Sequence, residues 1–206
     1  MNHLSFQSRA SVEIVRPRLL LPKASLSLKG LFRVQHYRGD ELLAELFAHN
    51  NVNTEGVNYM FNVAFYGQTQ IAATNWYLGL VNNVSPTPSP ANTDTYAGIA
   101  ESSPTNGWAE LASYTDTNNG ASAATRPVWP MGSASNRTIT NSSSTAIYAM
   151  TAACTVWGLF ACGGTGNTNQ KGNNNSGGVC YATAAFSSPV SCQSGDTLKV
   201  TYSISA

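Results

Sequence analysis

Leu198, Val200, Tyr202 and Ile204 alternate strictly with Thr197, Lys199, Thr201 and Ser203. A period of two makes a β-strand with one buried and one wet face. The chain must therefore supply a sheet for that strand to join and an apolar layer for it to cover. The same vocabulary recurs upstream in "RTITN", "TAIYAMTAACTVWGLFAC" and "GVCYATAAFSS", short runs separated by Gly, Ser, Asn or Pro. "NWYLGLV" at 75–81 adds a short aromatic strand. From Leu28, "LKGLFRVQHY", "RGDE" and "LLAELFAHN" read as strand, turn and return. Leu42, Leu43, Leu46 and Phe47 also fit a helical stripe, and we favour the hairpin. Arg38, Gly39 and Asp40 spell an integrin-recognition string, but Gly followed by Asp is ordinary hairpin-turn chemistry.

One segment reads as a helix. In "NTEGVNYMFNVAFYG", Asn53 or Thr54 can cap, Glu55 sits in the first turn, and Gly67 stops the run. Val57, Met60, Phe61, Ala64 and Phe65 follow the i, i+3, i+4, i+7, i+8 pattern and form the expected core stripe. The fold expected is an all-β sandwich or jelly-roll-like domain over 28–206 with one short helix at about 54–66. Pro86, Pro88 and Pro90 exclude helix and central strand, which leaves an exposed loop over about 82–107.

Charge is scarce. Only 10% of residues are charged, against about 25% in ordinary soluble proteins, while Ser, Thr and Asn fill 63 of the 206 positions. Such a surface is hydrated by hydroxyls and amides, and the 42% apolar content is enough to build a core. Seven of the eleven cations fall in the first 38 positions, so residues 1–27 read as a basic, extended N-terminal arm suited to an acidic neighbour. No apolar run approaches the roughly 20 residues of a membrane span, and "LLLP" at 19–22 is too short for a signal sequence. The expectation is synthesis in the cytoplasm without processing, no membrane association, and free thiols at Cys154, Cys162, Cys180 and Cys192.

The stretch "GGTGNTNQKGNNNSGG" at 163–178 raises the question of a phosphate-gripping loop. A Walker loop needs GxxxxGK[ST], with the lysine and hydroxyl where a helix begins. Here Gln170 precedes Lys171 and Gly172 follows it, and both flanks are β-like. The simpler account is a long exposed hairpin loop that tolerates positive φ.

Other chemistries fare no better. The cysteines are separated by 7, 17 and 11 residues, and His3, His36 and His49 all lie over a hundred residues away, so no metal site is expected. There is no GxSxG elbow. Asp94, Glu101, Glu110 and Asp116 look like solvated loop acids rather than a glycosidase pair. The basic stripe is thin for nucleic acid. No catalytic residue, cofactor or nucleic-acid partner is expected.

Several strings taken together resemble the small structural proteins encoded by tailed bacteriophages. They are the opening hairpin, a helix start with Asn51, Val52, Asn53, Thr54 and Gly56, the "WYLGL" strand, "RPVW" and the closing "GDTLKVTY" strand, covering roughly 29–206 apart from the middle loops. The resemblance implies a non-enzymatic virion component, first a decoration or cement protein on the capsid exterior and second a tail- or fibre-associated component. On that reading Arg16, Arg18, Lys23, Arg33 and Arg38 meet acidic patches of the major capsid protein lattice, Leu19, Leu20 and Leu21 add apolar contact, and the protein is a dimer or trimer. The alternative is a receptor- or glycan-binding module that stacks sugars on Tyr96, Trp108, Tyr114 and Trp129. A third reading is a displayed β protein stapled by its four cysteines.

Overall fold

The computed structural model describes residues 28–82, 90–118, 122–175 and 177–206. The expected arm at 1–27 lies outside these residues. The elements are β1 (Lys29–Arg38), β2 (Glu41–Asn51), α1 (Thr54–Phe65), β3 (Trp76–Asn82), β4 (Ala109–Glu110), β5 (Tyr114–Asp116), β6 (Thr138–Thr140), β7 (Ala146–Met150), β8 (Cys154–Gly163), β9 (Val179–Cys192) and β10 (Asp196–Ser205). They form two antiparallel sheets. One has the order β2-β1-β10-β7-β5 with β6 also on β10, and the other has the order β4-β3-β8-β9. The fold is an all-β sandwich carrying one α-helix, as the alternation in the sequence implies.

The hairpin forms where Gly39 and Asp40 stand between β1 and β2, and Gly39 takes the left-handed φ of +57°. A two-residue turn of that hand matches the strand twist. In β1 the side chains alternate, with Phe32, Val34 and His36 buried and Arg33 exposed. β10 lies between β1 and β7, and its Leu198, Val200, Tyr202 and Ile204 are all buried. Tyr202 stacks on Phe32 with ring centroids 4.0 Å apart. From the opposite sheet Leu78, Leu80, Leu159 and Ala161 complete this core.

β3 is buried on both of its faces. Its Leu78 and Leu80 point to the main core, while Tyr77 and Val81 join a second apolar cluster with Phe160, Cys162, Cys180, Tyr96, Ile99 and Trp108. The outer side of this sheet is thus roofed by the segments before β4 and after β8. The loops expected to be exposed at about 82–107 and 163–178 are therefore exposed only in part, with 83–89 and 176 outside the described residues. Asp94, Tyr96, Gly98 and Ile99 are buried in the first, and Thr168 and Lys171 in the second. A sheet with both faces apolar needs a cover, and the polar loops provide it.

The helix appears where expected, but its buried face is rotated. Gly56 and Tyr59 are buried and Val63 packs on the core together with Val57 and Met60 of the expected stripe, whereas Phe61, Ala64 and Phe65 face solvent. Gly56 explains the rotation. A Cβ at this position would stand 2.7 Å from the Tyr181 carbonyl oxygen, so only glycine lets α1 approach β9 along this line. Asn53 stands at the N-cap position without capping. Its buried amide instead donates to the Asp94 carbonyl oxygen at 3.0 Å, and its Oδ1 accepts from Thr183 at 3.1 Å.

Candidate functional site

Three regions hold the residues singled out from the sequence. The first is the surface around β1, β2 and α1. Arg33 pairs with Glu45 on the adjacent strand at 2.6 Å, in a half-exposed bridge that adds little stability. Arg38 grips Asp196 with two hydrogen bonds, of 2.8 and 3.0 Å. Arg16, Arg18, Leu19, Leu20, Leu21 and Lys23 lie outside the described residues. The exposed large hydrophobic side chains among the described residues are Leu42, Leu43 and Phe47 of β2, Phe61 and Phe65 of α1, and Tyr66 just after it. Phe65 and Tyr66 are 84% and 86% exposed. Among the described residues β2 is also an edge strand, pairing with β1 on one side only.

The second region is the aromatic set. Tyr96, Trp108, Tyr114 and Trp129 are each 3% exposed or less, which corrects the glycan-stacking expectation. Trp108 donates its indole N–H to Asp94 at 2.9 Å and packs on Phe160. Trp129 donates to the Tyr202 carbonyl oxygen at 3.2 Å. Tyr114 lies edge-on to Tyr148 under the ammonium of Lys171, and Tyr96 lies beside Arg126. None of the four has a free face to offer a sugar ring.

Of the acids expected to be solvated, Glu101 is exposed, whereas Asp94, Glu110 and Asp116 are buried, which corrects the expectation for these three. Glu110 and Arg126 form a two-pronged ion pair with both contacts at 2.7 Å and neither side chain exposed. Arg126 also donates to the carbonyl oxygens of Thr168 and Asn173, and Glu110 accepts the Gly172 N–H at 2.6 Å. The Gly- and Asn-rich loop is therefore strapped down by a buried charge pair. Lys171 adds a second strap by donating to the carbonyl oxygens of Ala112 and Tyr114, and burial lowers its pKa. Glu55 does similar work, accepting the N–H groups of Tyr96 and Cys180 at 2.8 and 2.6 Å.

Asp94 accepts from Ala91 N–H and Trp108 through one oxygen, while burial pushes its carboxyl above the ordinary range. A raised folded-state pKa means that the charged form costs stability, and the cost is relieved as pH falls through that pKa toward the unfolded value of about 3.9. Asp94→Asn keeps an acceptor for both donors without the charge. The variant is expected to be at its most favourable relative to the wild type at pH 7 and to lose ground on acidification, as read by urea denaturation at pH 7 and pH 4. A constant difference between the two would refute this role for the Asp94 charge.

The third region lies where the ends of β1, β8, β9 and β10 meet. His36 Nε2 is 2.8 Å from Asp196 Oδ2, and both side chains are buried. Asp196 Oδ2 also accepts the Gln193 N–H at 2.8 Å. Arg38, through its hydrogen bonds, holds the Asp196 carboxyl well below the usual range. The Cys192 sulfur completes a group with His36 and Asp196 whose polar atoms all lie within 4.8 Å of one another. Cys154 sits directly across from Cys192 on the neighbouring strand, as Cys162 sits across from Cys180. All four cysteines are free thiols. Burial pushes the Cys162 thiol up to about 12.

Sequence reasoning missed this third group because it measured separation along the chain. His36 pairs with Leu198 and Arg38 with Asp196 across β1 and β10, which erases a distance of 160 residues. The chain matches no protein-family model, and no curated protein matches it.

Proposed function

We propose that the protein is a non-enzymatic virion component of a tailed bacteriophage that binds the capsid exterior and stabilises the shell as a decoration or cement protein, and that it self-associates as a dimer or trimer. The observation that carries this reading is the set of large apolar side chains left exposed on β2 and at the end of α1, where the Phe61 and Phe65 rings lie 6.2 Å apart. Apolar surface left in water marks an interaction site when it is clustered, as Phe61 and Phe65 are, and β2, an edge strand among the described residues, invites further association. The basic arm joins the domain at Lys29, which is paired with Asn51 at the end of β2 that leads into α1, and not at the turn beside Leu42 and Leu43.

On this reading the arm and the hairpin grip the major capsid protein lattice together, cations meeting acidic patches and Phe47, Phe61 and Phe65 burying apolar area. A component that binds only the assembled shell shifts assembly toward it, by about 3 kcal/mol at a hundredfold excess over Kd. The glycan-binding alternative is not carried forward, because its four aromatic rings are core.

The test is occupancy on expanded capsids lacking the protein, counted by cryo-electron microscopy. Deleting residues 1–27 is expected to abolish incorporation while the β domain keeps its circular dichroism and melting temperature. Normal occupancy by the truncated protein would overturn the proposal.

A further inference from the structure

The geometry points to a site for a soft divalent cation such as Zn(II), formed by His36, Cys154, Cys192 and Asp196 at one end of the sandwich. The inference is independent of the virion reading. Among the described residues, His36, Cys192 and Asp196 are the one group of three or more His, Cys, Asp and Glu side chains close enough to share an ion. Cys154 stands directly across from Cys192 in the β8–β9 ladder, and its thiol, which donates to Met150 Sδ at 3.8 Å, turns toward the ion to supply a fourth ligand. Two sulfurs, an imidazole and a carboxylate are a donor set that suits zinc.

Distances fit the assignment. Zinc lies about 2.3 Å from sulfur and about 2.0–2.2 Å from nitrogen or oxygen, which puts tetrahedral donors about 3.3–3.8 Å apart. The three donors of the group are already within 4.8 Å of one another. Binding opens the 2.8 Å contact between His36 and Asp196 by about half an ångström and draws in any pair wider than about 3.8 Å. Arg38 and the Gln193 N–H hold the Asp196 carboxylate from behind, as outer hydrogen bonds orient metal ligands elsewhere. His36, Cys192 and Asp196 are buried, whereas Cys154 is only partly so and gives the cluster its way out to solvent.

Charge also balances. Without the ion, two neutral thiols stand beside the Asp196 and Arg38 pair, and the sum is zero. With it, one dication, two thiolates, one carboxylate and one guanidinium again sum to zero. Binding replaces two thiol protons, released to water, with one ion, and no electron moves. An uncompensated buried charge, the usual obstacle to such a site, does not arise.

The test uses the full-length protein, reduced and stripped of metal, titrated with Co(II) as a spectroscopic stand-in. The expected result is one equivalent bound, with a near-ultraviolet sulfur-to-cobalt charge-transfer band and the visible bands of a tetrahedral ion, both removed by Zn(II). Zn(II) is also expected to slow alkylation of Cys154 and to raise the melting temperature. Cys154→Ser changes a partly exposed side chain and should leave the fold intact, but it should halve the charge-transfer intensity and weaken Co(II) binding by about tenfold or more. Absence of the band in the reduced, folded wild type would overturn the proposal. So would a band unaffected by Cys154→Ser with Cys154 alkylation unchanged by Zn(II), since the ion would then sit elsewhere.

Discussion

Replacing Glu110 with alanine is expected to destabilise the protein by about 3–5 kcal/mol, the cost of leaving a buried charge without its partner. Few single substitutions reach that size in a domain whose whole stability is of the order of 5–15 kcal/mol. Arg126 cannot escape by losing its proton, and with no solvent exposure of its side chain it cannot reach water without opening the roof over β3 and β8. The Gly172 N–H loses its acceptor in the same step. Hydrogen exchange should localise the damage, with protection lost over 164–175 while β1 and β10 keep theirs.

The paired replacement Glu110→Met with Arg126→Met separates the charge from the strap. Replacing a buried ion pair with apolar side chains is often neutral or stabilising when the pair serves only itself. Here Arg126 also satisfies the carbonyl oxygens of Thr168 and Asn173. The double variant is therefore expected to recover only part of the loss, each orphaned backbone group costing about 1–3 kcal/mol. Urea denaturation of the three variants measures the split. A Glu110→Ala protein within 1 kcal/mol of wild type would refute the assigned role.

The elements most legible in the sequence were those whose signal is local. The alternation at 197–204 gave β10 with its buried face correct, and the Gly39 and Asp40 turn gave the hairpin. The helix was legible in extent but not in phase, because its rotation is set by a backbone contact between Gly56 and Tyr181 that no periodicity reports. Buried polar groups were the least legible. Glu110 and Arg126 sit in runs rich in Ser, Thr and Asn that resemble solvated loops, and they become core only when both loops close over the outer sheet. One cue was available. In a chain with four charges after Pro127, each charge is a candidate for structural use. Lys171 and Asp196 are buried, and Lys199 lies over the Tyr37 ring.

Gly158→Ala tests the second feature that the sequence concealed, the closeness of β8 and β9. Gly158 is a residue of β8 paired with Ala185, and the pairing jumps there from Val156 with Val190, so that residues 186–189 of β9 bulge out opposite Trp157 alone. A Cβ on Gly158 would fall 2.2 Å from the Ala184 carbonyl oxygen and 3.2 Å from the Ala185 Cα. The obstacle is the backbone of β9, the strand paired with β8, with no flexible side chain able to swing aside. Relief requires β9 to move, and Ala184 on that strand faces the main core beside Leu159. The expected cost is about 3 kcal/mol, at the upper end for overpacking. Gly39→Ala is the informative contrast, because nothing stands within 4 Å of its Cβ and only the positive φ of +57° resists it. That strain is worth about 1–2 kcal/mol. If Gly158→Ala proves the milder of the two by thermal and urea denaturation, β9 yields to the added methyl, and the bulge is a flexible joint rather than a fixed register mark.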